Sequence, residues 1–209
     1  MENLGYKVFL TRDGTEDEEE NTAYNMYDED GRVTLAMESN AKLLISLHMN
    51  SNTENLYAGG VEVYAPSNAD LTFAKLLADN IVTMANTDYS YLETYKEDEG
   101  VYVRCYSESE IRATSQSALA GGYELYSNLT TETPYLYIIR ETGGIMTGAF
   151  VDGRNPDYGA NKYYDSNVGI ESYLIELGYI IVDEDLYNIL YNQDDYMEAI
   201  ATSITSYFQ

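Results

Sequence analysis

Apolar and polar positions alternate in short blocks along this chain of 209 residues, and each block predicts one element. Tyr6-Lys7-Val8-Phe9-Leu10, bounded by Gly5 and by the polar run Thr11 to Gly14, predicts a strand entering a loop. Val33, Leu35, Ala36 and Met37, after Arg32, suit a short helix, and Leu43 to His48 reads as a buried strand that ends in a histidine. Gly59-Gly60 lead into Val61-Glu62-Val63-Tyr64, a strand stopped by Pro66. Leu71, Ala74, Ala78, Ile81 and Ala85 recur at helical spacing and predict the clearest helix of the chain.

Residues 86–133 are rich in Tyr, Ser, Glu and Gly without sustained periodicity, and read as a loop-rich insertion with short elements. Pro134 opens a strand-like run from Tyr135 to Arg140, and Tyr173 to Leu177 is another. Turn signals lie between them at Gly143-Gly144, Asp152-Gly153 and Asn155-Pro156. Asp183 is a candidate N-cap ahead of Leu186, Ile189 and Leu190, and Met197, Ile200, Ala201, Ile204 and Phe208 form a last apolar stripe. Strands alternating with helices imply an α/β layer fold: one domain over residues 1–209, with a single central sheet, mixed or parallel, flanked by helices.

Charge narrows the class of partner. A formal net charge of −25 and a pI near 4.1 exclude tracking along a phosphate backbone, which needs clustered Lys and Arg, so no nucleic-acid partner is expected. No apolar run approaches the roughly 20 residues that span a bilayer, so no membrane span is expected either. Thr15 to Asp30 is dominated by Asp, Glu and Asn and reads as a solvated excursion. An EF-hand fails there, because taking Gly31 as the loop glycine puts Met26 and Met37 at ligand positions. Cys105 is alone, which rules out an internal disulfide, a cysteine zinc cluster and a redox pair. Met1 to Leu10 has no export-leader pattern, so any exporting segment is expected outside this chain.

Two residues stand out as candidate chemistry. His48 is the single histidine, at the end of a strand, and is open to two readings: a packed, hydrogen-bonded side chain or a metal ligand. Glu176 sits in an apolar run, where an unpaired carboxylate has its pKa raised toward neutrality, the condition for a general base. The alternative is a carboxylate paired with Arg140 or with a backbone donor.

The runs GYKVFLTRD (Gly5 to Asp13), RVTLAMESNAKLLISLHMNS (Arg32 to Ser51), GVEVY (Gly60 to Tyr64) and YLIELGY (Tyr173 to Tyr179), with Leu76 to Ile81 and Tyr137 to Arg140, follow one another in a known order. Together they resemble the catalytic domain of the zinc-dependent N-acetylmuramoyl-L-alanine amidases, from Gly5 to Phe208. The resemblance implies hydrolysis of the amide between the lactyl group of N-acetylmuramic acid and L-alanine in peptidoglycan, by water activated on Zn2+ with a glutamate as base. By it, His48 matches the family's second zinc histidine and Glu176 its catalytic glutamate. Glu62 and Arg140 also fall at matching positions, where salt-bridging or strand-orienting roles are favoured over direct chemistry.

The resemblance also implies departures. The family's first zinc histidine, its ligand glutamate, and the first strand and helix that carry them would precede Met1, so the chain is expected to be a shortened form of a longer product. Met37 stands where Asn is common and Glu171 where Pro often precedes the catalytic strand. Residues 141–168 are expected to form an extended loop. Localisation at the cell wall or outside the cell is implied in the same way. The alternative function is a metal-free remnant that binds peptidoglycan or a partner.

Overall fold

The structure, a computed structural model, describes residues 1–12, 31–52, 58–121, 129–142 and 169–209. The acidic excursion over residues 15–30 and the expected loop beyond Thr142 lie outside the described residues. Two compact units divide the chain: Met1–Leu44 with Cys105–Ser172, and Ile45–Arg104 with Tyr173–Gln209.

The first unit is helical among the described residues. Helix α1 (Arg32–Glu38) buries Val33, Thr34, Ala36 and Met37 and packs with α4 (Tyr137–Thr142). The Arg32 guanidinium lies over the Tyr137 ring at 5.9 Å. The run from Tyr135 to Arg140 is therefore not a strand. Ile138, Ile139, Arg140, Glu141 and Thr142 are all buried, and a short run buried on every side carries no periodicity that separates helix from strand. Tyr6 to Leu10 also forms no strand. Val8, Phe9 and Leu10 are exposed, and the described sheet does not take this run into its ladder. Residues 86–133 prove richer than their composition suggests, supplying α3 (Glu108–Gly121) to this unit and two strands to the other.

The second unit is built on one mixed sheet of five strands in the order β1-β5-β2-β4-β3. They are β1 (Leu43–Asn50), β2 (Glu62–Tyr64), β3 (Lys96–Asp98), β4 (Val101–Tyr102) and β5 (Glu171–Tyr179). The first two residues of β1 and of β5 belong to the other unit. β2 runs parallel to β4, with Val63 opposite Val101, and antiparallel to β5, with Glu62 opposite Glu176. β1 was expected to be buried, but it takes the sheet edge, and Leu47 and Met49 are exposed there.

Helix α2 (Thr72–Met84) covers β2 and β4 with Phe73, Ala74, Leu77, Ala78 and Ile81, close to the predicted stripe. The closing helices are α5 (Asp183–Tyr191) and α6 (Gln193–Tyr207), and α6 packs on α2. Its buried face is Tyr196, Ala199, Ile200 and Ser203, whereas Met197 and Phe208 of the predicted stripe are exposed. Asn80 Nδ2 donates to Ser203 Oγ at 2.9 Å and Ser203 Oγ donates to the Ala199 carbonyl at 2.8 Å. A hydrogen-bonded polar contact thus joins the two packed helices, which a count of apolar positions does not find.

Asp183 is the first residue of α5 and makes no cap hydrogen bond, contrary to its predicted role. Asp185 is the carboxylate that acts instead. Its buried Oδ2 accepts from the Gly60 N–H and the Tyr179 N–H, both at 2.8 Å, and so ties the start of β2 to the end of β5. Gly60 has φ +87°, and a Cβ there would lie 2.5 Å from the Tyr89 backbone, so only glycine fits. Asp185→Ala leaves two buried N–H groups without an acceptor and should lower unfolding free energy by roughly 2–4 kcal/mol in urea titration, with Asp185→Asn milder.

Candidate active site

Strand alternation places the candidate residues on one face of the sheet. Glu62 and Glu176 are Cα partners in an antiparallel ladder, so their side chains leave the sheet on the same side with Cβ atoms about 5 Å apart. Tyr64, two residues after Glu62, shares that side and donates from its hydroxyl to Glu62 Oε2 at 2.8 Å. Asn50 of β1 reaches the same oxygen with Nδ2 at 3.0 Å, which puts His48, two residues earlier, on this side as well.

Glu62 is fully buried, yet among the described residues no cation pairs with it. Besides Asn50 and Tyr64, Ser90 Oγ donates to Oε1 at 2.7 Å and the Tyr179 hydroxyl makes a short hydrogen bond to the same oxygen. Two oxygens thus accept from four neutral donors, the pattern of an ionised carboxylate, which has acceptor capacity and no proton to place. Of the salt-bridging and strand-orienting roles favoured for Glu62, no salt bridge forms among the described residues, and its hydrogen bonds reach β1, β2 and β5. Gly178, with φ +153°, interrupts the alternation of β5, and Tyr179 reaches Glu62 although it lies an odd number of residues beyond Glu176. Burial, followed by the Glu62 charge, pushes the Tyr64 phenol far above its ordinary range. Burial, followed by the hydrogen bond to Glu62, does the same to Tyr179. Both hydroxyls therefore keep their protons and remain donors.

Glu176 is the contrasting member of the pair. Its Oε2 is buried and has no hydrogen-bond partner among the described residues. Burial, then the Glu62 charge, raises its carboxyl from 4.5 to about 7. Arg140 is engaged elsewhere, with Nε to Glu141 at 3.1 Å and Nη1 to the Tyr106 hydroxyl and the Pro134 and Tyr135 carbonyls. The arrangement therefore holds one carboxylate ionised by donors and leaves its neighbour ready to exchange a proton near neutrality.

His48 is exposed, with Nε2 3.0 Å from Ser46 Oγ. A catalytic zinc needs about three protein ligands. Among the described residues no three His, Cys, Asp or Glu side chains converge on one point, so these residues do not by themselves make the zinc centre that the sequence resemblance implies.

Sequence reasoning singled out Glu62, Glu176 and His48 but not Asn50, Tyr64, Ser90 and Tyr179, which hold Glu62. Tyr64 and Asn50 were within reach of the two-residue period. Ser90 and Tyr179 arrive through a turn and a glycine irregularity that no periodic pattern marks.

The arrangement defines an α/β protein with a carboxyl pair on one face of a mixed sheet, one member fully buried and the other half-buried. The family model described as N-acetylmuramoyl-L-alanine amidase matches residues 1–120, and the chain belongs to that family. The match takes in His48 and Glu62, and Glu176 lies beyond it. The search of curated proteins finds no match. Among solved structures, the chain is similar to the amidase AmiC2 of Nostoc punctiforme, with 19% identity, TM-score 0.47, and coverage of 85% of this chain and 64% of that one. It is also similar to an amidase of Clostridium difficile 630, with 18% identity, TM-score 0.47, and coverage of 85% and 63%. A third is the CwlD amidase of Clostridioides difficile in complex with the GerS lipoprotein, with 17% identity, TM-score 0.49, and coverage of 99% and 78%. The chain thus spans a little under two thirds of the first two. Family membership rests on the match over residues 1–120.

The raised Glu176 carboxyl has a consequence for stability. Between about 4.5 and 7 the folded state binds more protons than the unfolded chain, so this contribution is complete below 4.5 and lost as pH rises through about 7. Glu176→Gln cannot ionise. The wild-type minus variant difference in unfolding free energy should therefore fall over that window, by roughly 1–3 kcal/mol after allowance for solvent screening.

Proposed function

We propose that this chain carries the catalytic face of a peptidoglycan amidase that cleaves the bond between the lactyl group of N-acetylmuramic acid and L-alanine. The observation that carries the reading is Glu176: a buried carboxyl oxygen with no partner among the described residues and a proton affinity near neutrality, on a sheet face that also bears His48 and Glu62. Such a group takes a proton from water as it attacks the amide carbonyl and returns it to the departing amine. Family membership over residues 1–120 supports the reaction class. The strong negative charge argues against polyanionic substrates and accords with an uncharged amide as target.

Zinc, when bound, acidifies water and polarises the carbonyl. His48 would be one ligand; since the described residues do not supply the rest, the step above is assigned to Glu176 alone. Action at the cell wall, outside the cell, is the compartment this substrate requires. No helix among the described residues is long and apolar enough to cross a membrane.

A second reading, a metal-free amidase-like chain that binds peptidoglycan or a partner without cutting, is favoured by the lack of a converging ligand set among the described residues. Purified protein supplied with Zn2+ and incubated with peptidoglycan should expose new L-alanine amino groups, detectable by amine labelling. Glu176→Gln should lower that rate by at least about 100-fold while leaving the circular dichroism spectrum unchanged. A variant as active as the wild type removes Glu176 from the chemistry. Near-stoichiometric zinc that drops in His48→Ala supports the enzyme, whereas a zinc-free chain that cosediments with peptidoglycan and releases no amino groups supports the binder.

A further inference from the structure

Glu62 is a fully buried ionisable group that the proposed proton transfer does not use. Removing a carboxylate from water costs several kcal/mol unless it is paired or fully hydrogen-bonded, and Glu62 meets no cation among the described residues. The second unit spends four donors from separate parts of the chain on it: Asn50 on β1, Tyr64 on β2, Ser90 after the β2–α2 region, and Tyr179 at the end of β5. A purely structural position opposite Glu176 is satisfied more cheaply by an apolar residue, as Val63 and Ile175 satisfy the next pair along the same ladder. A charge kept at this cost acts on whatever faces it, and Glu176 is the residue directly opposite.

We propose that Glu62 is a positioning residue: its clamped carboxylate keeps a fixed negative charge against Glu176 and so governs when Glu176 gives up and takes back its proton. The other titratable groups around the pair are Tyr64 on β2, Tyr102 on β4, Tyr179 on β5 and His48 on β1. Burial keeps the three phenols neutral. His48 is exposed on the edge strand. The charge that acts on Glu176 is that of Glu62, second only to burial itself. Ser90 and Tyr179 both donate to Oε1, so removing their two hydroxyls strips that oxygen of both its donors.

The proposal rests on Glu176 being the base, but it can be read without catalysis. In protein labelled with 13C at the glutamate carboxyl carbon, the Glu176 signal is assigned by its loss in Glu176→Gln, and its titration midpoint is followed by NMR. Glu62→Gln should move that midpoint down by about one pH unit, the scale of a neighbouring like charge. The hydroxyls of Tyr64, Ser90 and Tyr179 can turn to satisfy the new amide, so the variant is expected to fold. If it does not, the double variant Ser90→Ala/Tyr179→Phe, which weakens the clamp, should move the midpoint in the same direction by less. Where hydrolysis is measurable, the acid limb of the kcat/KM profile should shift with it. An unmoved Glu176 midpoint in the folded variant overturns the proposal. A shifted midpoint in a protein that cuts no amide upholds the coupling and overturns only the amidase reading.

Discussion

A buried carboxylate held by hydrogen bonds, with no counter-ion among the described residues, is the constraint around which the sheet unit is arranged. Glu62 has no contact with water, and its charge is stable there only because hydroxyl and amide donors arrive from β1, β2, β5 and the segment before β3. Each donor comes from an element that must be in register for the bond to form. A slip of β5 by one residue would turn Glu176 and its neighbours to the opposite face and carry Tyr179 away from Oε1. The charge thereby imposes a specific pairing on strands that are otherwise short, β2 having three residues and β4 two.

Asp185 supports the same arrangement from behind. By accepting from Gly60 and Tyr179 it fixes the backbone on either side of the carboxyl pair, just before Glu62 and just after Glu176. Gly60 and Gly178 make this possible: one adopts a left-handed conformation against Tyr89, the other lies so near Asp185 that a Cβ would come within 3.0 Å of that side chain. Two carboxylates with unlike tasks follow from unlike surroundings. Glu62 is surrounded by donors and holds charge, while Glu176 has a bare oxygen in a desolvated position and holds a proton near neutral pH.

Family membership and this geometry converge from different parts of the chain. The family match covers residues 1–120 and includes His48 and Glu62, whereas Glu176 and Tyr179 come from β5 near the other end. Ladder pairing brings Glu62 and Glu176 opposite each other across more than a hundred residues of sequence. That junction, more than any single motif, is what makes the sheet face a candidate for proton transfer.

The sequence alone determined the α/β class and the positions of β1, β2, β5, α1 and α2, because each rests on local periodicity, and it marked Glu176 as one polar residue in an apolar run without deciding its role. It misjudged Tyr135 to Arg140, a helix where a strand was expected, because a run buried on all sides has no polar face to reveal its period. It misjudged Tyr6 to Leu10, since propensity without a neighbouring strand makes no ladder. The Glu62 clamp, the role of Asp185 and the Ser203 contact of α6 were decided only by tertiary structure. Each depends on hydrogen bonds between residues far apart in the chain, and the partner of a buried polar atom is fixed by where the backbone returns, which no local pattern records.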